Sequence, residues 1–165
     1  MKEYVSKVMV SPVGDLTLVA SDAGLAGILW PGDNPRRVSL NVVATSASHP
    51  VLLDTERQLK EYFAGRRTRF DLPLDFVGTV FQLRVWRALL TIPFGETRTY
   101  AEVAMAIGRP AAVRAVGAAN GRNPISIVAP CHRVLGSDGQ LIGYAGGFEA
   151  KTRLLKLESQ HTNKN

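Results

Sequence analysis

The sequence predicts an α+β protein in two parts: an α/β domain with a small antiparallel sheet and a helix, then a mostly helical domain containing a helix-turn-helix. Three observations lead there. Apolar runs rich in β-branched residues, broken by Gly and Asp turns, fill the first thirty residues. Two Thr-x-x-Gln/Glu capping boxes open helical patterns in the second half. Gly108-Arg109-Pro110 then breaks one short helical pattern from the next.

Taken in order, Tyr4 to Val10 and Leu16 to Ser21 read as strands around a hairpin loop, Ser11 to Asp15. Asp22-Ala23-Gly24 turns the chain into a third strand, Leu25 to Trp30. Pro31 to Ala47 reads as loop. A helix starts at Pro50, where proline suits the first turn, and Gly65 stands just past its end. Phe70, Leu72, Leu74 and Phe76 alternate, so Arg69 to Phe76 is either a strand or an extended linker. The boundary falls there, giving domains 1–75 and 76–165.

In the second domain Thr79 caps a helix whose apolar stripe is Phe81, Val85, Ala88 and Leu89, and Pro93 and Gly95 stop it. Thr99 caps the next, with Val103, Ala106 and Ile107 on its apolar face. Ala111 to Ala119 follows as a helix with Val113 and Val116 inward. Two short helices joined by a Gly-containing turn match a helix-turn-helix, a pairing that also occurs as plain core structure. Most of the second helix is small: Ala111, Ala112, Ala115, Gly117, Ala118 and Ala119 surround one long basic side chain, Arg114. Ile125 to Ala129 is an apolar run that reads as a short buried strand.

Charge separates the two halves. Through Asp75 there are nine Lys/Arg and nine Asp/Glu, and from Phe76 onward eleven and five. The whole excess of +6 therefore lies in the second half, which points to a polyanionic partner, nucleic acid first. One cysteine excludes an intrachain disulfide framework and a Cys-rich zinc site. The N-terminus has no long apolar stretch of the signal-peptide kind, and no run is long enough to span a membrane, so a soluble, cytoplasmic protein is expected.

That cysteine lies in Pro130-Cys131-His132-Arg133. A thiolate is the reactive form, and an imidazole beside a thiol favours it. On a strand, neighbours point to opposite faces, so Cys131 and His132 meet only where the strand ends, or through water. Glu158, among leucines near the end of the last helical pattern, needs a partner, and His132 or Arg133 would serve. Cys131, His132 and Glu158 then compose a relay in which a carboxylate orients the imidazole that activates the thiol. A buried lone cysteine is otherwise a small inert apolar residue.

Gly121-Arg122-Asn123-Pro124 leading to Val128-Ala129-Pro130-Cys131-His132-Arg133-Val134 resembles the active-site signature of the O6-alkylguanine-DNA alkyltransferases. The similarity runs from Gly78-Thr79 through Arg114-Ala115-Val116-Gly117 and Gly143-Tyr144-Ala145-Gly146-Gly147 to Glu158, about half of the chain. The first domain resembles the family's ribonuclease H-like domain more loosely. The resemblance implies transfer of an alkyl group from O6-alkylguanine, and from O4-alkylthymine, to Cys131, with no cofactor and no metal. His132 would act as base through water and Glu158 would orient it. Tyr100 would donate to the guanine ring, and Asn123 would hold the turn before the cysteine. Arg114 would fill the gap left by a flipped nucleotide, with Ala115 and Gly117 in the minor groove of double-stranded DNA. Arg109 and Ser137 would lie near phosphates. Val134, Gly143, Tyr144, Ala145 and Gly146 would line the base and alkyl pocket, the Cys131 and Val134 carbonyls taking the exocyclic amine. A monomer, nucleoid-associated in a bacterium, is implied.

The sequence departs from some relatives at Ser126, where they have proline, and at Ala145, where they have serine. It also lacks the N-terminal cysteines that bind zinc in others. Two rival readings differ in class. A non-catalytic lesion-binding module would lack the cysteine. A cysteine hydrolase leaves the helix-turn-helix and the basic half unexplained.

Overall fold

The computed structural model describes residues 2–139 and 144–162. The chain divides into two compact units, Met1–Val77 and Gly78–Asn165.

In the first unit, β1 (Tyr4–Met9), β2 (Leu16–Ala20) and β3 (Leu25–Leu29) form an antiparallel meander. The 31–47 stretch, expected as loop, holds a fourth strand, β4 (Val42–Thr45), which pairs parallel to β1 and completes the order β3-β2-β1-β4. All four of its residues are exposed, so no alternation of burial marks it in the sequence. Helix α1 (Pro50–Phe63) begins where His49 accepts a hydrogen bond from the Val51 amide, and Gly65 follows its end at φ 75°. Its buried Leu52, Leu59 and Tyr62 belong to a core with Leu16, Leu18, Leu25 and Ile28. Residues 69–76 are the extended linker rather than a strand. A single bridge joins Leu74 to Leu25, flanked by Leu25 N–H to Pro73 O (2.8 Å) and Asp75 N–H to Leu25 O (2.7 Å). The backbone comes so close there that a Cβ on Gly24 would lie 2.6 Å from the Pro73 carbonyl oxygen.

The second unit is mostly helical. Both capping boxes form: Thr79 with Gln82 opens α2 (Val80–Leu89), and Thr99 with Glu102 opens α3 (Tyr100–Ala106). Helix α4 (Val113–Gly121) packs against both, and the buried Trp86 Nε1 donates to the Ala119 carbonyl (2.9 Å). Two inward assignments fail. Val113 is 37% exposed, because the turn after Pro110 delays α4 and leaves this valine in its first turn. Ala106 is also exposed, and Val103 and Ala104 face the core instead. Ile125 to Ala129 is not a strand. Its residues are buried as expected, but Ile125 makes only an isolated bridge and 126–128 are turns, with Ile127 at φ 74°. An apolar run is buried equally well by either geometry. Cys131–Arg133 then form one 3-10 turn, followed by β6 (Val134–Leu135), which pairs parallel with β5 (Arg98–Thr99). That short ladder fixes the start of α3 beside the end of the cysteine turn. Helix α5 (Phe148–Thr162) buries Ala150, Lys151, Leu154 and Glu158. No helix among the described residues is long and apolar enough to cross a membrane.

Candidate active site and DNA-facing surface

The cysteine turn is held from behind by one side chain. The Asn123 amide donates to the Ala129 carbonyl (2.8 Å), and its oxygen accepts from the Ile125 amide (3.0 Å). Fully buried, Asn123 thus replaces the strand ladder that the turns lack. Cys131 sits 3% exposed at the start of the 3-10 turn, its amide bonded to the Ala129 carbonyl (2.7 Å). Because the turn is not a strand, Cys131 and His132 are not forced to opposite faces of a sheet.

Glu158 gathers the surroundings. Its carboxylate receives His132 Nε2 (2.6 Å), Arg133 Nε (2.7 Å), Arg133 Nη2 (3.0 Å) and the Gly95 amide (3.4 Å). Arg133 Nη1 also donates to the Ile92 carbonyl (2.6 Å). One carboxylate therefore ties α5, the cysteine turn and the α2–α3 connection together. Burial alone would raise the pKa of Glu158. Hydrogen bonds from His132 and Arg133, with the guanidinium charge, outweigh it and bring the pKa down to about 2. Burial pushes His132 the other way, toward the neutral imidazole, despite Glu158. A neutral ring that donates from Nε2 to a carboxylate carries its lone pair on Nδ1. That Nδ1 is buried with no hydrogen-bond partner among the described residues.

Lys151 and Asn120 belong to this web and no motif announced them. Lys151, 1% exposed, donates from Nζ to the Val134 carbonyl (2.8 Å) and lies 5.8 Å over the Tyr144 ring. Burial lowers its pKa, opposed by the charge of Cys131. Its signal was the α5 stripe: Lys151, Leu154 and Glu158 recur at helical spacing on one face. Asn120, 4% exposed, donates to the Cys131 carbonyl (3.4 Å). Of the two carbonyls implied for an exocyclic amine, that of Cys131 already accepts from Asn120 and from the Val134 amide, and that of Val134 accepts from Lys151.

Tyr100 is the first residue of α3 and half-buried. Burial raises its pKa, against a side-chain hydrogen bond with Asn120. The remaining predicted residues divide by exposure. Val134 is buried, Tyr144, Ala145 and Gly146 are half-buried, and Arg109, Arg114, Ala115 and Ser137 are exposed, with Gly117 partly so. Exposed Ala111 in the turn before α4, with Arg114, Ala115 and Ala118 on the helix, gives small residues around one cation. Gly143 lies outside the described residues.

Fold and site together define a helix-turn-helix protein whose buried thiol is backed by a histidine–carboxylate pair. Residues 5–76 match the 6-O-methylguanine DNA methyltransferase, ribonuclease-like domain, and residues 80–160 match its DNA binding domain. The chain belongs to the 6-O-methylguanine DNA methyltransferase family. It is 48% identical over 164 residues to a methylated-DNA–protein-cysteine methyltransferase of Mycolicibacterium paratuberculosis, covering 98% of this chain and 95% of the relative. The corresponding protein of Methanosarcina barkeri is 46% identical over 155 residues, covering 93% and 96%. The crystal structure of Mycobacterium tuberculosis OGT in complex with DNA superposes with TM-score 0.83 at 45% identity, covering 96% of this chain and 94% of that one.

Proposed function

We propose that this protein repairs double-stranded DNA by direct reversal, moving the alkyl group of O6-alkylguanine, and of O4-alkylthymine, onto its own Cys131. The observation that carries the reading is the buried Glu158–His132 pair behind the only cysteine: burial keeps His132 neutral, and the bond to Glu158 fixes its ring with the Nδ1 lone pair available to take a proton. The relatives' name, methylated-DNA–protein-cysteine methyltransferase, supports it over nearly the whole chain.

In the step itself, His132 takes the thiol proton through water and the sulfur forms a bond to the alkyl carbon. The carbon–O6 bond breaks and its electron pair moves into guanine. Tyr100 donates to the ring as that charge develops. A proton from the relay ends on guanine N1, so thiol plus alkylguanine becomes thioether plus guanine. No cofactor enters. A base in a duplex does not reach a buried sulfur, so the nucleotide is flipped out. The small face of α4 enters the minor groove, Ala115 and Gly117 allowing close approach, and Arg114 occupies the vacated stack. Arg109 and Ser137 contact phosphates. Val134, Tyr144, Ala145 and Gly146 line the base and alkyl pocket. A thioether does not hydrolyse under mild conditions, so each molecule acts once. The protein works as a monomer where chromosomal DNA is, in the cytoplasm and at the nucleoid of a bacterial cell.

Intact-protein mass after incubation with duplex DNA carrying one O6-methylguanine tests this. One added methyl per protein, mapped to the Cys131 peptide and absent in Cys131→Ala, is expected. An unchanged mass beside tight lesion binding would move the protein to the non-catalytic class.

A further inference from the structure

Arg133 follows Cys131 and His132 and is 5% exposed, yet no step of the transfer uses it. All three guanidinium nitrogens bond to the protein: Nε to Glu158 Oε1 (2.7 Å), Nη2 to Glu158 Oε2 (3.0 Å) and Nη1 to the Ile92 carbonyl (2.6 Å). Its Cζ stands over the Phe94 ring, 5.8 Å from the centroid. One consequence concerns His132. The terminal torsion of a glutamate has broad wells and sets no sharp carboxylate direction by itself. The fork takes both oxygens in parallel, which fixes the plane of the Glu158 carboxylate. Oε2 then keeps a lone pair for His132 Nε2 at 2.6 Å. The imidazole is aimed by a carboxylate that Arg133 aims in turn.

The other consequence concerns the chain that leads to Tyr100. Arg133 holds Ile92, and Glu158 accepts from the Gly95 amide (3.4 Å). Arg98 and Thr99 then pair with Val134 and Leu135, the two residues after Arg133. Tyr100 follows at once as the first residue of α3. The α2–α3 connection is therefore fastened to Arg133, its carboxylate and its chain neighbours before it delivers the phenol. We propose that Arg133 is a positioning residue for the alkyl transfer, one guanidinium that serves both the proton acceptor and the donor: through Glu158 it aims His132, and through Ile92 and the β5–β6 pair it places Tyr100. The role rests on the alkyltransferase reading above.

Arg133→Lys keeps the charge but has no planar fork, so it does not span Glu158 and Ile92 together. Two rates separate the consequences. Methyl transfer from duplex DNA carrying O6-methylguanine needs the thiolate and a donor to the leaving guanine, whereas alkylation of Cys131 by iodoacetamide releases iodide and needs the thiolate alone. At saturating DNA, methyl transfer should slow roughly tenfold or more, by the scale of misplaced reacting groups. The iodoacetamide rate should fall by a smaller factor, about twofold or more, and DNA affinity should stay within about twofold of the parent. In a Tyr100→Phe background the Arg133→Lys factor on methyl transfer should shrink to the factor seen with iodoacetamide, because only the His132 arm is left to lose. A clamp serving stability alone would lower the melting temperature and leave both rates of the folded protein unchanged. Parental rates in the folded variant, equal factors in the two reactions, a loss confined to DNA affinity, or an undiminished factor beside Tyr100→Phe each overturn the role. If thermal melting shows that Arg133→Lys does not fold, Arg133→Gln, which has one amide donor group and no fork, takes the same measurements. Parent protein that reacts with iodoacetamide but takes no methyl group sinks the alkyltransferase reading itself, and this role with it.

Discussion

The two compact units bury side chains of opposite character. Among the described residues of the first, the buried polar groups are Ser6, Ser21, Thr55 and Gln58, all uncharged, within a core of Leu16, Leu18, Leu25, Leu59 and Tyr62. Those of the second are Asn120, Asn123, Ser126, His132, Arg133, Lys151 and Glu158. Apolar burial stabilises without demanding partners, whereas every buried charge needs a countercharge or hydrogen bonds. The first unit therefore tolerates local change in proportion to the volume lost. The second is coupled: its ion pair, its imidazole and its lysine–carbonyl bond all bear on the same few residues around Cys131. A well-packed apolar replacement of a buried ion pair is often as stable, so the charges around Cys131 are better explained by the chemistry they prepare than by stability.

Four measurements press on this contrast. Glu158→Gln leaves Arg133 buried without its countercharge and should lower unfolding free energy by about 4 kcal/mol in denaturant titration. It should also slow methyl transfer, because His132 loses its anchor. Equal stability with full activity would show the carboxylate to be dispensable. Leu59→Ala in the first core should cost about 3 kcal/mol through transfer and cavity terms, yet leave the iodoacetamide rate of Cys131 unchanged when the protein is folded. A changed rate would mean that the two units are energetically coupled.

Acid should separate the units by the size of its effect. Folding depresses the pKa of His132 below 6.5 and that of Glu158 from 4.5 to about 2. Both groups bind protons more readily in the unfolded chain, so stability present at neutral pH is lost as pH falls. The loss starts below about pH 6.5 with the imidazole and continues from 4.5 toward 2 with the carboxylate. Hydrogen exchange followed by peptide mapping should show peptides around Cys131 and α5 opening before those of β1 to β3. The smallest effect belongs to Thr79→Ala, which removes one cap of α2 and should cost about 1 kcal/mol by thermal melting.

What the sequence disclosed was mostly local. Thr79 with Gln82 and Thr99 with Glu102 form as read, because a capping box is decided within four residues. Pro50 and Gly65 bracket α1 for the same reason. β4 was hidden because its partner β1 is some forty residues away and Val42 to Thr45 bury neither face. Ile125 to Ala129 misled because composition reports burial and not geometry. At the site, Cys131, His132 and Glu158 were legible from residue type and motif, and the structure joins His132 to Glu158 through a single hydrogen bond. Asn120 and Lys151 were not, because an asparagine amid alanines and a lysine on a helix usually read as solvated. Their tertiary neighbours, two backbone carbonyls, reveal them, and for Lys151 the α5 stripe was the one sign in the sequence.

Ile127 has a consequence of another kind. Its φ of 74° is one that a β-branched residue rarely adopts, at a cost on the order of 1–3 kcal/mol, yet its side chain is fully buried. Glycine there would relax the backbone and empty the cavity, a net loss by the scale of large-to-small core changes. Another branched residue would keep the strain. The position is a local optimum with walls on both sides. A lineage that starts from this sequence can leave it only through a less stable ancestor, or by rebuilding the neighbouring packing in the same step.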